Sequence, residues 1–294
     1  MRQIVGPPNF NRRPSIEDVA RSWADVKYGM AKVVLITGCS AGIGRLTAEL
    51  FATRGWSVVA TARRPEEISL NNVTPLRLDV TDEASIASAV ASTVDRFGAI
   101  DVLVNNAGYG LFGPLEGAGA GEFEAQIRTN LLGTVSVICH VLPVMRAHRS
   151  GVIVNVSSLA GRVATPFMSG YNASKFALEG LSESLRFELS LHGIRVKLVE
   201  PAHFKTGFVE RSLKLTSHPD YDAPFENFMG WVRKGDAKAP EPAPVAEAIY
   251  RAANDTSHRL RYPVKGKLML AFVALFPDSV WRLLNEQGMK RPAN

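Results

Sequence analysis

From Lys32 onward the sequence alternates short β-branched runs with stretches of helical period, the rhythm of parallel strands joined by crossover helices. Strands are predicted at Val33–Thr37, Ser57–Thr61, Thr74–Leu78, Asp101–Asn105, Val152–Val156, Arg195–Val199 and Leu260–Pro263. Pro75 has no N–H for a ladder, so the third strand must start at its proline or lie at an edge. Helices are predicted at Ile43–Arg54, Glu83–Phe97, Phe123–Arg149 with a break near Gly133, Ser174–Leu191 and Pro244–Ala253. With right-handed crossovers these elements make one α/β domain, a doubly wound sheet of seven parallel strands, over residues 30–263.

A chain of 294 residues suits one such domain, and 46% hydrophobic with 21% charged residues is ordinary globular composition. The net charge of +6 comes without a run of five Lys or Arg, so no nucleic-acid partner is expected. Cys39 and Cys139 are too few for a disulfide framework, which points to a reduced, cytoplasmic location. Residues 1–29 contain Pro7, Pro8 and Pro14 but no apolar core, and read as an extension rather than a signal peptide. Residues 202–242 break the rhythm with Phe204, Phe208, Tyr221, Phe225, Phe228 and Trp231 among prolines and charges; a long irregular insertion of this kind is expected to be a lid over an apolar substrate. In the tail, 264–294, the apolar run Leu268–Phe276 is far short of the roughly twenty residues that span a bilayer. It is read as a helix packed on the pocket or on a partner subunit, in preference to an interfacial membrane contact.

The first strand leads directly into TGCSAGIG, Thr37 to Gly44, and then a helix, the context of a Rossmann-type phosphate loop. Gly38 permits the turn, Gly42 lets backbone approach a pyrophosphate and Gly44 allows close strand–helix contact; Ser40 and Ile43 complete the loop, whose helix N-terminus offers free N–H groups. The spacing is GxxxGxG, and taken alone it also describes a plain βα turn. After the second strand stands Ala62-Arg63-Arg64, with no acid to grip a ribose hydroxyl. Arg63, assisted by Ser40 or Arg64, would instead bind a 2′-phosphate, so NADP is expected rather than NAD. Asp79 and Val80 follow the third strand where adenine would lie, and Asn106, Ala107 and Gly108 follow the fourth at the ligand-bearing edge, although such residues also favour turns.

Tyr171 and Lys175 are four residues apart and share one helix face. A phenol of ordinary pKa near 10 is a poor proton relay at neutral pH, and a neighbouring cation is expected to lower it. The upstream strand ends in Ser157-Ser158, either of which could hydrogen-bond a substrate oxygen; Ser158 is the choice made here. No spacing of His, Cys and Asp suggests a metal site.

The set TGCSAGIG, NNAG (105–108), Asn130 in RTNLLG, VNVSS (154–158), YNASK (171–175) and Pro201 to Thr206 resembles the short-chain dehydrogenase/reductase superfamily over residues 31–255. ATARRP, NNAGYGLFGPLE and YNASKFALEGLSESL resemble its hydroxysteroid and retinol dehydrogenase branch. The resemblance implies Tyr171 as general acid/base, Lys175 lowering its pKa and holding the nicotinamide ribose, Ser158 positioning the carbonyl, and Asn130 holding a water between Lys175 and solvent. Pro201 and Thr206 would border the nicotinamide. Ala202 stands where glycine is usual, which puts the local chain path in question. Tyr109, Phe112, Phe167 and Phe204 are expected to line the pocket of an apolar ketone, aldehyde or alcohol. Relatives also imply a homodimer or homotetramer. A catalytically silent nucleotide-sensing or scaffold protein is the competing class, and an isomerase or dehydratase on the same fold a third.

Overall fold

Val33–Thr37 (β1) is buried along its whole length, which requires cover on both sheet faces. The computed structural model describes residues 31–290 together with Asp18, so the extension expected over 1–29 otherwise lies outside the described residues. Gly42–Thr53 (α1) follows β1, then Ser57–Ala62 (β2), Val73–Arg77 (β3), Glu83–Phe97 (α2) and Val102–Asn105 (β4). Next come Gly110–Phe112 (β5), Leu115–Ile127 (α3), Gly133–Ala147 (α4), Gly151–Val156 (β6), Ser169–Ser190 (α5) and Ile194–Pro201 (β7). The chain closes with Phe208–Arg211 (α6), Leu213–Leu215 (β8), Asp222–Ala237 (α7), Ala243–Asn254 (α8), Arg261–Val264 (β9), Lys267–Leu275 (α9) and Asp278–Lys290 (α10).

Seven strands form one sheet in the order β3-β2-β1-β4-β6-β7-β9, every pair parallel. Strand β3 is an edge, so Pro75, opposite Ala60, leaves no inner ladder broken. One apolar layer, including Phe51 and Ile249, packs α1 and α8 on one face; the other, including Val90, Val141 and Leu189, packs α2, α4 and α5. Strand order reverses between β1 and β4, and their carboxyl ends open the crevice in which such sheets bind ligands.

Three expectations need correction. The helix predicted over Phe123–Arg149 starts at Leu115 and does not break at Gly133, whose φ −60° and ψ −42° are helical; residues Arg128–Leu132 form one wide π turn between α3 and α4. Gly133 is there for contact, since a Cβ would lie 2.8 Å from the Val80 side chain. The departure from helical geometry falls instead at Gly119, φ 63°. Helix α5 begins at Ser169 rather than Ser174, which places Tyr171 in its first turn. The insertion is not irregular: β8 pairs in parallel with β5, and α7 packs its Phe225 and Met229 against Phe112.

Candidate active site

The loop after β1 lies in a cleft of about 1050 Å³ at the carboxyl edge of the sheet. Gly38 has φ +74°, and a Cβ on Gly44 would fall 2.1 Å from the Gly38 carbonyl oxygen and 2.5 Å from Asn106 Nδ2. No side chain caps α1 and no acid stands in its first turn, so its N–H groups face the cleft with Ser40, Gly42 and Ile43. Thr37 Oγ1 accepts from the N–H groups of Asn106 and Ala107, both at 3.0 Å, which locks the ends of β1 and β4 together. These cradle features fit a pyrophosphate on a helix N-terminus.

Arg63 lines the cleft, as do Asp79 and Val80. Hydrogen bonds from Thr81 and the charge of Arg63 hold the Asp79 carboxyl below its usual range despite partial burial. Arg64 turns away, pairing with Glu67 on the surface, so it does not assist Arg63. Ala202 is not among the residues of positive φ, and its N–H donates to Val264 at 3.0 Å; β9 carries the chain there without a glycine. Pro201 and Thr206 line the cleft beside it.

The floor is built by β6 and α5. Tyr171, Lys175 and Ser158 all line the cleft, and the Tyr171 hydroxyl hydrogen-bonds the Ser158 side chain. Ser158 Oγ also accepts from Ala160 N–H at 3.1 Å, while Ser157 Oγ is buried and unpartnered. Lys175 Nζ donates to the Val156 carbonyl at 2.9 Å and stands 5.8 Å from the Tyr171 ring centroid. Burial pushes the phenol up to about 12, against the opposing hydrogen bond with Ser158. In these residues alone desolvation outweighs the lowering expected from a neighbouring cation, with the Lys175 ammonium turned to a carbonyl. Burial likewise lowers Lys175 to about 8, opposed by the Glu179 charge.

Asn130 lies in the π turn, buried. Its Oδ1 accepts from Tyr109 N–H at 3.0 Å, and its Nδ2 donates to the Tyr109 carbonyl at 2.9 Å and to Ser174 Oγ at 3.2 Å. It braces the loop that carries Tyr109. Tyr109 and Phe112 line the cleft, and the Tyr171 ring packs between Phe112 and Phe208 at 5.9 and 6.0 Å. Phe204 reaches the cleft but is mainly core, 4% exposed beside Val199 and Ala202. Phe167 is displaced: with φ 58° it packs edge-on against Phe225 and lines a separate surface groove. Phe228 and Leu213 from the lid region and Met269 from the tail also line the cleft, and Met168 forms a wall that local sequence does not mark as such. The tail thus folds toward the pocket side, with α10 fixed by Trp281 Nε1 donating to Ala164 at 3.0 Å and Met289 accepting from Asn227 at 2.9 Å.

A profile of the short chain dehydrogenase family matches residues 32–215. The uncharacterized oxidoreductase YusZ of Bacillus subtilis is 39% identical, with 85% of this chain and 95% of that protein covered. The 3-ketodihydrosphingosine reductase of Bacteroides thetaiotaomicron is also 39% identical, with 74% and 82% covered. Among solved structures, ElxO with NADP bound superposes with a TM-score of 0.67 at 31% identity, with 82% of this chain and all of that chain covered.

Proposed function

The chain belongs to the short-chain dehydrogenase family, and on that premise we propose an NADP(H)-dependent oxidoreductase acting on an apolar ketone, aldehyde or secondary alcohol, with Tyr171 as the acid/base. The observation that carries the reading is the convergence of Tyr171, Ser158 and Lys175 on the floor of a cleft whose far end is a bare helix N-terminus. Gly38, Ser40, Gly42 and Ile43 would hold the pyrophosphate, Asp79 and Val80 the adenosine end, and Lys175 and Thr206 the nicotinamide end. When bound, the dinucleotide supplies or takes up the hydride at the substrate carbon.

Burial keeps the Tyr171 phenol protonated at neutral pH, and a carbonyl oxygen that gains a hydride becomes an alkoxide basic enough to take that proton. Tyr171 gives its proton to the carbonyl oxygen, Ser158 holds that oxygen by a hydrogen bond, and the buried Lys175 ammonium steadies the phenolate left behind. Phe112, Phe208 and Phe228 exclude water from above. Support for NADP comes from Arg63 at the cleft where no carboxylate ends β2, and from ElxO, which was solved with that nucleotide. Support for an apolar ketone comes from the aromatic wall and from the Bacteroides relative's name. The exposed Phe187 and Leu191 at the end of α5 suit a self-association face.

The purified chain is expected to oxidise NADPH with members of a lipophilic carbonyl panel. Tyr171→Phe should lose turnover by at least about a hundredfold while keeping its NADPH affinity. Turnover retained in that variant would refute the assignment.

A further inference from the structure

Behind the floor, on the side of Lys175 away from the cleft mouth, lies a charged cluster that the proposed reaction does not use. Glu179 stands one turn after Lys175 on α5 and is 4% exposed; Glu200, on β7, is wholly buried. Arg261 of β9 bridges them. Its Nε donates to Glu179 Oε2 at 3.0 Å and lies 3.3 Å from Glu200 Oε1, while its Nη2 donates to Glu183 at 2.9 Å. Arg162, from the turn after β6, donates to Glu200 Oε1 at 3.1 Å. Glu179 Oε1 and Glu200 Oε2 have no hydrogen-bond partner, nor has Ser157 Oγ. A Cβ built on Gly161 would meet the Lys175 carbonyl, Ser157 Oγ and Glu179 Cγ at 2.9, 2.9 and 3.1 Å, so these groups crowd around one point.

Glu179, Glu183 and Glu200 face the guanidiniums of Arg162 and Arg261, the charge of Arg186 also acts on Glu183, and burial with the neighbouring Glu179 raises the Glu200 carboxyl; the Lys175 ammonium lies one helical turn before Glu179 on α5. Tyr171 is the other titratable group on this stretch of α5. An isolated ammonium this deeply buried would shed its proton, and a carboxylate one helical turn away opposes that loss.

We propose that Glu179 is a positioning residue that acts through Lys175, its carboxylate clamped by Arg261 so that Lys175 stays an ammonium beneath the reacting oxygen. The inference rests on the reading of Lys175 given above, and it assigns a second duty to β9: the last strand supplies the guanidinium that fixes the carboxylate. Glu200 and Arg162 complete the clamp from β7 and the β6 turn.

The test follows the 13Cε signal of Lys175 against pH in the full chain without nucleotide or substrate, the signal being assigned by its loss in Lys175→Met. In Glu179→Gln the titration midpoint should fall by about one unit or more, and in Glu179→Asp by less. The alkaline limb of kcat/KM should move down with it. If the amide disturbs the fold, Glu179→Met serves, because Arg261 keeps Glu183 and Glu200 as partners. An unchanged midpoint in either folded, charge-free variant overturns the role of Glu179, whatever the turnover. A wild type with no turnover on any carbonyl overturns the proposed activity, whatever the spectra show.

Discussion

Replacing Gly44 by alanine tests whether the loop after β1 is a close-packed cradle. Gly44 lies in α1 with ordinary helical geometry, so alanine's backbone is content there and gains about 1 kcal/mol of helix propensity. Its Cβ is not content. It would sit 2.1 Å from the Gly38 carbonyl oxygen, a main-chain atom that cannot swing aside, and 2.5 Å from Asn106 Nδ2. That Nδ2 donates to the carbonyls of Thr37 at 3.0 Å and Gly38 at 3.1 Å, two bonds worth about 1 kcal/mol each. Forcing them apart adds about 1–3 kcal/mol of overpacking. After the propensity gain the loss is about 2–4 kcal/mol, or about 4–16 °C in melting temperature for a domain of this size. NADPH affinity should fall as well, because the same displacement moves the N–H groups of α1. Gly180 is the control: it is exposed in mid α5 with nothing within 4 Å of its Cβ position, so Gly180→Ala should gain about 0.5–1 kcal/mol. Melting followed by circular dichroism and NADPH titration by fluorescence read both variants. Gly44→Ala melting at or above wild type with undiminished affinity would refute the cradle.

Arg63→Ala should weaken NADPH about tenfold, the lower end for a charge-assisted contact at a solvent-exposed rim, and leave NADH unaffected; an equal loss for both nucleotides would count against a 2′-phosphate contact. Lys175 binds its proton less tightly folded, at about 8, than unfolded, at 10.5, so the unfolded chain holds more protons between those values and stability attributable to Lys175 rises with pH there. The stability of wild type relative to Lys175→Met should accordingly climb by up to about 3 kcal/mol from pH 8 to 10, and a flat difference would argue against the buried ammonium. Ending the chain after Lys265 removes the Met269 wall and α10, so KM for apolar carbonyls should rise about tenfold for the lost contact area, with liposome co-sedimentation the same as for the full chain. Sedimentation of the full chain alone would instead make the tail a membrane contact.

Period and punctuation are local properties, which is why all seven main strands and their parallel sense were legible in the sequence, where VVLIT, SVVATA and GVIVNV read as buried β-branched runs, while the order of the strands across the sheet was set by the fold. The loop glycines, Arg63, Ser158, Tyr171 and Lys175 were legible for the same reason, since turn geometry and the four-residue helix spacing are written in the chain. Folding alone decided what depends on distance between segments. Phe167 left the cleft because Phe225, 58 residues on, offered it a ring to pack against. Asn130 became a brace because the π turn aims it at Tyr109. Tyr171 moved up in pKa rather than down because burial is a sum over every neighbour, most of them remote in sequence. Glu179, Glu200, Arg162 and Arg261 come from four separate stretches, and no periodicity could have announced that their charges meet in one cluster.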